Sequence, residues 1–176
     1  VLITTKGGKL GKPTLDYTFE LSASKISNKY DLLSPSEFLD AYEGFNGAAA
    51  AATINKGSET DWQDAVTRTG ITQNHNLSFG VNEKGGDYRL SIGYMDQEGI
   101  IENSDLTRFS TRFNGSKKFL EDKLTIGTMI SVASTEDGNV PITQNSGFEG
   151  DLWGNALKAN PTAPIYDANG PGGFYQ

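Results

Sequence analysis

Apolar and polar residues alternate along five stretches of the chain, and this period of two is its strongest signal. Leu15, Tyr17, Phe19, Leu21 and Ala23 alternate with Asp16, Thr18, Glu20, Ser22 and Ser24. Ile71, Gln73, His75, Leu77, Phe79 and Val81 alternate with Thr72, Asn74, Asn76, Ser78, Gly80 and Asn82. From 88, Tyr88, Leu90, Ile92 and Tyr94 oppose Arg89, Ser91, Gly93 and Met95. From 107, Phe109, Thr111 and Phe113 oppose Arg108, Ser110, Arg112 and Asn114, and Phe119 rejoins the apolar side. From 124, Leu124, Ile126, Thr128, Ile130 and Val132 oppose Thr125, Gly127, Met129, Ser131 and Ala133. Each stretch predicts a β-strand with one apolar face. Their lengths, roughly 8–13 residues, cover the ~9–11 that a tilted strand needs to cross a bilayer.

The connections alternate in length. Strands one and two are joined by a long segment with helical stretches predicted near 35–44 and 61–69, the second opening at Asp61 with Arg68 near its end, as the helix dipole favours. Glu83-Lys84-Gly85-Gly86-Asp87 is a short turn, Gln97 to Leu106 a medium loop, and Leu120-Glu121-Asp122-Lys123 another short turn. After Ser134 comes a long stretch rich in Gly, Asn and Pro. Long, short, medium, short, long is the asymmetry of an up-and-down outer-membrane barrel, with tight periplasmic turns and long external loops. The patch Ala48 to Ala52 is read as a loop or weak helical extension without a function.

Period alone leaves two orientations open. In a β-sandwich the apolar face turns onto a packed core. In a membrane barrel it meets lipid, and the polar face lines the lumen. Tyr88 and Tyr94 bracket Leu90 and Ile92 as interfacial aromatics would, and the opposite faces are mostly Thr, Ser, Asn and Gly. Both details favour lipid. Gln73 and His75 fall on the apolar face, which the lipid reading tolerates only near the headgroup boundary. Because lipid leaves no backbone group unpaired, five strands must then belong to a larger closed barrel. The opening run Val1-Leu2-Ile3, with no initiating Met, reads as an interior segment.

Composition narrows the function. Fifteen Lys and Arg against 22 Asp and Glu leave a net charge of −7, so phosphate binding and nucleic acid are disfavoured. Without cysteine there are no disulfides, thiolate nucleophiles or zinc-thiolate sites. One histidine, His75, rules out an all-histidine metal site and disfavours a histidine-based triad. Glycine, at 21 of 176 residues, exceeds the usual ~7% and suits a turn-rich β protein. No apolar run reaches the length of a transmembrane helix.

Several stretches, in order, resemble the SusC/RagA-type family of TonB-linked outer-membrane transporters of Bacteroidetes. Val1-Leu2-Ile3-Thr4-Thr5-Lys6-Gly7-Gly8 is similar to the last strand of the family's plug, although many members carry another residue at the place of Gly8. Tyr30-Asp31-Leu32-Leu33-Ser34 with Glu37-Phe38 resembles the helix of its first external loop, and Thr60-Asp61-Trp62-Gln63-Asp64 its D-T-D-W-Q-D stretch. Asn74 to Ser78, Tyr88 to Tyr94 with Gln97 to Ile101, and Arg108 to Asn114 resemble the strands that follow. The likeness runs to about residue 133.

The resemblance implies an all-β, antiparallel, up-and-down transmembrane barrel segment, about five strands of about 22. Residues 1–6 end the plug, 7–12 are a linker, 13–134 hold the first five strands with a long external loop at 29–70, and 135–176 are another external loop. It further implies an importer of oligosaccharides, or less often peptides, with no catalytic activity, no cofactor and no metal. TonB would energise it through a region upstream, and a SusD-like lipoprotein would cap the loops. From another class, the competing reading is a soluble β-sandwich that binds carbohydrate or protein.

Two sets of residues stand out as candidates. Asp16, Glu20, Arg89, Arg108 and Arg112 share the polar faces and predict either charge pairing along the lumen wall, or docking of the plug or lining of the solute path. Trp153, Tyr166, Phe174 and Tyr175, among Asn and Gly, predict either a contact surface for sugar rings or a partner, or a loop closed on itself. Trp62 reads as a packing anchor of the loop, having no base, nucleophile or metal beside it. His75 is isolated and carries no chemistry. Glu136-Asp137-Gly138-Asn139 has the composition of a calcium loop without its ligand spacing and reads as a solvated turn.

Overall fold

The computed structural model describes residues 11–140 and 151–175. The expected plug strand at 1–6 and most of the linker at 7–12 lie outside the described residues. Five strands form one antiparallel sheet in sequence order: β1 (Thr14–Ser24), β2 (Gly70–Glu83), β3 (Gly86–Glu98), β4 (Asp105–Phe119) and β5 (Leu124–Gly138). This is the up-and-down meander that the alternation predicts. Helices α1 (Pro35–Asn46), α2 (Ala48–Ile54), α3 (Trp62–Ala65) and α4 (Leu152–Lys158) and a 3₁₀ turn (Pro171–Gly173) lie in the connections. Two compact units result. One is the sheet; the other comprises 25–69, 100–102 and the described residues from 140 onward.

Register decides what each face of the sheet shows, because residues paired directly across neighbouring strands point to the same side. Asp16 pairs with Ser78, Ser78 with Ser91, Ser91 with Arg112, and Arg112 with Ser131. All five polar sets therefore share one face. On the other, Leu15, Phe79, Leu90, Phe113 and Ile130 form one continuous row, with Tyr17, Leu77, Ile92, Thr111 and Val132 beside it.

The apolar face is not covered. Leu15, Leu21, Ile126, Ile130 and Val132 are all more than half exposed. Among the described residues, the buried hydrophobic side chains are Ala51, Ala156 and Ala163, none of them in the sheet. A large apolar side chain loses about 1.5–3 kcal/mol when left in water rather than buried. Fourteen of the exposed large hydrophobics lie on this face. At partial exposure they sum to on the order of 10 kcal/mol, comparable with a domain's whole stability. The packed centre that a β-sandwich requires is not formed by this sheet, and Leu90, Ile92 and Phe113 are not buried.

Gln73 and His75 occupy the end of β2 nearest the long connection. His75 shares a row with Phe19, Tyr94 and Phe109, and the next row holds Leu21 followed by Gln73, Asp96, Thr107 and Glu136. The aromatic row thus adjoins the polar end of the same face, the position the lipid reading demands of these two residues. The His75 Nδ1 and the Tyr17 hydroxyl lie 2.8 Å apart, and the His75 and Phe19 rings are 4.8 Å apart.

Both predicted short turns are present. β2 and β3 are joined through Lys84 and Gly85, the latter at φ 85°, where a glycine is needed. The β4–β5 turn places Leu120, Glu121 and Asp122 at φ 51°, 54° and 68°, three non-glycine residues in the left-handed region.

Two boundaries differ from expectation, and the alanine patch takes the helical one of its two readings. α3 spans only Trp62–Ala65, not 61–69, because the following backbone pairs elsewhere: Thr67 bridges Ile101, the Arg68 N–H donates to Ile100 O at 2.8 Å, and the Glu102 N–H donates to Val66 O at 3.0 Å. Arg68 therefore lies beyond the helix and approaches Glu102 at 3.9 Å. The alanine patch is helical as α2, with Thr53 Oγ1 donating to Ala49 O. β5 continues to Gly138, so Glu136-Asp137-Gly138 end a strand rather than form a turn.

Candidate functional site

The polar face of the sheet carries the first candidate set. Arg89 Nη2 donates to Ser78 Oγ at 2.8 Å. Asn76 Nδ2 donates to Asn74 Oδ1, and Asn74 Nδ2 donates to Glu20 Oε2, each at 3.2 Å. Asp16 and Arg112 end up on one row and Glu20 and Arg108 on another, each pair separated by two intervening strands. Three strand spacings are about 14 Å, too far for a direct bond. The five residues share a face as predicted, but the acids do not pair with the arginines. Among the described residues, the ion pairs link Lys29 to Asp61 and Asp64, and Arg68 to Glu102. Asn114, opposite Arg89, has a buried Oδ1 without a partner among the described residues.

The second region is the loop unit, which is built around the Thr60-Asp61-Trp62-Gln63-Asp64 stretch. Asp61 is the N-cap of α3: its Oδ1 accepts from the N–H groups of Gln63 and Asp64 at 2.9 and 3.0 Å. Its Oδ2 accepts from Lys29 Nζ at 3.0 Å, and Lys29 also contacts Asp64. Trp62 Nε1 donates to Asn160 O at 2.9 Å, which fits the expected packing anchor. Gln63, only 4% exposed, holds Tyr30 by both main-chain groups: the Tyr30 N–H donates to Oε1, and Nε2 donates to Tyr30 O, both at 2.9 Å.

These contacts set the local titration. Its hydrogen bonds to Asp64 and then to Asp61 hold the Lys29 ammonium above its ordinary value. At Asp61, partial burial raises the carboxyl. The Asp64 backbone N–H and the Lys29 ammonium outweigh it, and the group ends below the usual carboxylate range.

Residues 156–163 close the unit from the far end of the chain. Thr162, 1% exposed, accepts from the Lys56 N–H at 3.0 Å and donates toward Ile54 O and Asn160 Oδ1. Ser58 and Thr60 N–H groups donate to Thr162 O and Pro161 O, both at 2.9 Å, and Thr60 Oγ1 donates to Ala163 O. A recess of about 580 Å³ opens between 29–35, Phe38, 59–63 and 156–161. Tyr30, Phe38 and Trp62 give it rings, and Asp31, Glu59 and Lys158 give it charge. Its size falls within the range of small-molecule sites. Sequence reading singled out Trp62 here but passed over Lys29, Gln63 and Thr162; only the Asp61 cap was legible, as a short polar residue before a helix.

Of the late aromatics, Tyr166 and Phe174 form a bridge with ring centroids 5.5 Å apart, yet remain 71% and 54% exposed. Trp153 lies half-buried in α4, and the Tyr175 N–H donates to Ile165 O. Of the four, Tyr166 and Phe174 are the two in ring contact. Among the described residues, no group of three or more His, Asp or Glu is placed to hold a metal ion.

No protein-family profile matches the chain. Its sequence is 32% identical, over 100% of the chain, to the TonB-dependent receptor SusC of Bacteroides thetaiotaomicron. It is 30% identical over 97% to the TonB-dependent receptor P3 of Formosa agariphila. The chain spans 17% of the length of each of these curated relatives. Among solved structures, a RagAB peptide transporter superposes with a TM-score of 0.66 at 22% identity, covering 76% of this chain and 19% of that one. The RagAB peptide importer in its open-open state gives 0.63 at 24%, covering 77% and 19%. The colinear sequence match and the shared strand arrangement lead to one conclusion: the chain belongs to the SusC/RagA-type family of TonB-dependent receptors.

Proposed function

We propose that the chain forms the first five barrel strands and first external loops of a TonB-dependent outer-membrane importer. The observation that carries this reading is the sheet's uncovered apolar face, continuous across five strands and opposed by a face of hydroxyls, amides and arginines. Lipid is the environment in which that face costs nothing, and the polar face then lines the lumen. In this reading residues 1–6 end the plug and the segments at 29–70 and 135–176 are external. Oligosaccharides, or peptides, are the solutes; a SusD-like lipoprotein caps the loops; TonB supplies the energy.

Asp16, Glu20, Arg89, Arg108 and Arg112 face the lumen and dock the plug. Arg108 and Arg112 are exposed, and the acids of β1 are out of their reach, so the two arginines are free to meet carboxylates on an element inside the barrel. Tyr166 and Phe174 offer an exposed pair of rings for a sugar or a partner, and Trp153 and Tyr175 belong to the same contact surface.

Uptake by cells carrying the full-length receptor tests the reading. A strain lacking it loses import of one class of oligosaccharide or peptide, and wild-type receptor restores import only where TonB is intact. A receptor that purifies without detergent as a compact monomer would sink the proposal.

A further inference from the structure

The three walls of the recess in the loop unit are not equally held. The walls at 59–63 and 156–161 are joined to each other by Ser58 N–H to Thr162 O, Thr60 N–H to Pro161 O, Thr60 Oγ1 to Ala163 O and Trp62 Nε1 to Asn160 O. Thr162 and Ala163 are buried beneath that seam. The third wall runs through 29–34, six consecutive residues of irregular backbone, to Pro35 at the start of α1. Two neighbouring residues fasten it: Lys29, through Asp61 and Asp64, and Tyr30, through Gln63. At its far end, Ser34 is fixed to α1 through its capping box with Glu37.

We infer that residues 25–33 form a movable wall, latched at Lys29 and Tyr30, which swings to open or close the recess while the seam opposite stays intact. The two fastenings differ in kind. Gln63 is buried and satisfies both polar groups of one peptide residue, so releasing Tyr30 leaves a buried amide unpaired. Lys29 and its carboxylates are exposed enough for salt to screen them. Gln63 is therefore the positioning residue, and the ion pairs are the smaller, salt-sensitive part of the latch. Tyr30, Leu32 and Leu33 are each close to half exposed or more, so the wall gives up little apolar contact when it moves. The inference concerns the wall alone and stands apart from what the receptor transports.

The test uses the full-length receptor, any cysteines outside this chain replaced, with Ala159→Cys placed in the recess. Its modification rates by a polymer-linked maleimide and by N-ethylmaleimide are compared as a ratio, which reports how wide the recess opens. Gln63→Ala should raise that ratio by about fivefold or more, the loss of two hydrogen bonds. Lys29→Ala should raise it by about twofold, and high salt should act on wild type as that variant does while leaving the variant unchanged. Hydrogen exchange in the Gln63→Ala receptor should quicken in 25–33 and hold its wild-type level in 56–62 and 156–163. Equal ratios in all three proteins overturn the latch. Equal loss of protection in all three segments overturns the movable wall, because the walls then move as one body.

Discussion

The sheet and the loop unit use their buried groups in opposite ways. In the sheet, large apolar side chains point outward and stay exposed, and cohesion comes from four continuous antiparallel ladders. In the loop unit the most buried residues are small or polar, Ala51, Gln63, Ala156, Thr162 and Ala163, and the ties run from side chains to backbone. One region leaves its apolar surface to its surroundings; the other builds a small interior from hydrogen bonds between distant segments. A substitution that is mild in one region should therefore be damaging in the other.

The largest effect is expected from charge on the outward face. Leu90→Arg should destabilise the receptor by about 2–4 kcal/mol if placed near mid-bilayer, whereas Ser91→Arg, one residue along on the opposite, polar face, should change little. Denaturant unfolding in lipid vesicles separates them; equal losses would erase the contrast between the faces. Next, Thr162→Val keeps the shape but strands the Lys56 N–H, while the Ile54 carbonyl keeps its bond from Asn160 Nδ2, at a cost of about 1–3 kcal/mol. Hydrogen exchange should quicken around 53–58, and the strands should keep wild-type protection.

A smaller loss follows from Ser34→Ala, about 1 kcal/mol for the N-cap of α1. The same cap predicts a pH effect. The Ser34 hydroxyl, then its N–H, lowers the Glu37 carboxyl below its ordinary value. A depressed carboxyl contributes stability above its unfolded value and loses it as pH falls through the folded one. Helix protection at 35–46 should therefore drop on acidification below the ordinary glutamate range in wild type, and less in Ser34→Ala. The smallest change is a gain. Leu120→Gly relieves a left-handed residue in the β4–β5 turn and should stabilise by about 0.5 kcal/mol, net of the added freedom of the unfolded chain. Unfolding midpoints would show it as a shift with unchanged slope.

Much of the sheet was legible because the strand period is local: each residue's face follows from its neighbours two places away. The expected strands at 15–24, 71–82 and 124–133 differ from the observed ones mainly at their ends, where Gly138 extends β5 into what composition marks as loop. The loop unit was legible only at its predicted helices and at the Asp61 opening. Asp61 announces a helix start through local chemistry, whereas the end of α3 is set by pairing with residues 100–102, more than thirty positions away. The fates of Gln63, whose partner is Tyr30, and of Trp62, whose partner is Asn160, depend on loop closures that no short window contains.

The sequence by itself determined the five amphipathic strands, their alternation of short and long connections and the family they belong to, since all of these are written in spacing and order along the chain. Tertiary structure decided the rest. Register brought five apolar sets onto one uncovered face and kept Asp16 and Glu20 three strands from Arg112 and Arg108. Closure of residues 156–163 onto 54–62 made a recess from segments a hundred positions apart. Both outcomes depend on which distant backbone groups find each other, and a one-residue slip in any ladder would have turned that strand's apolar set to the other face.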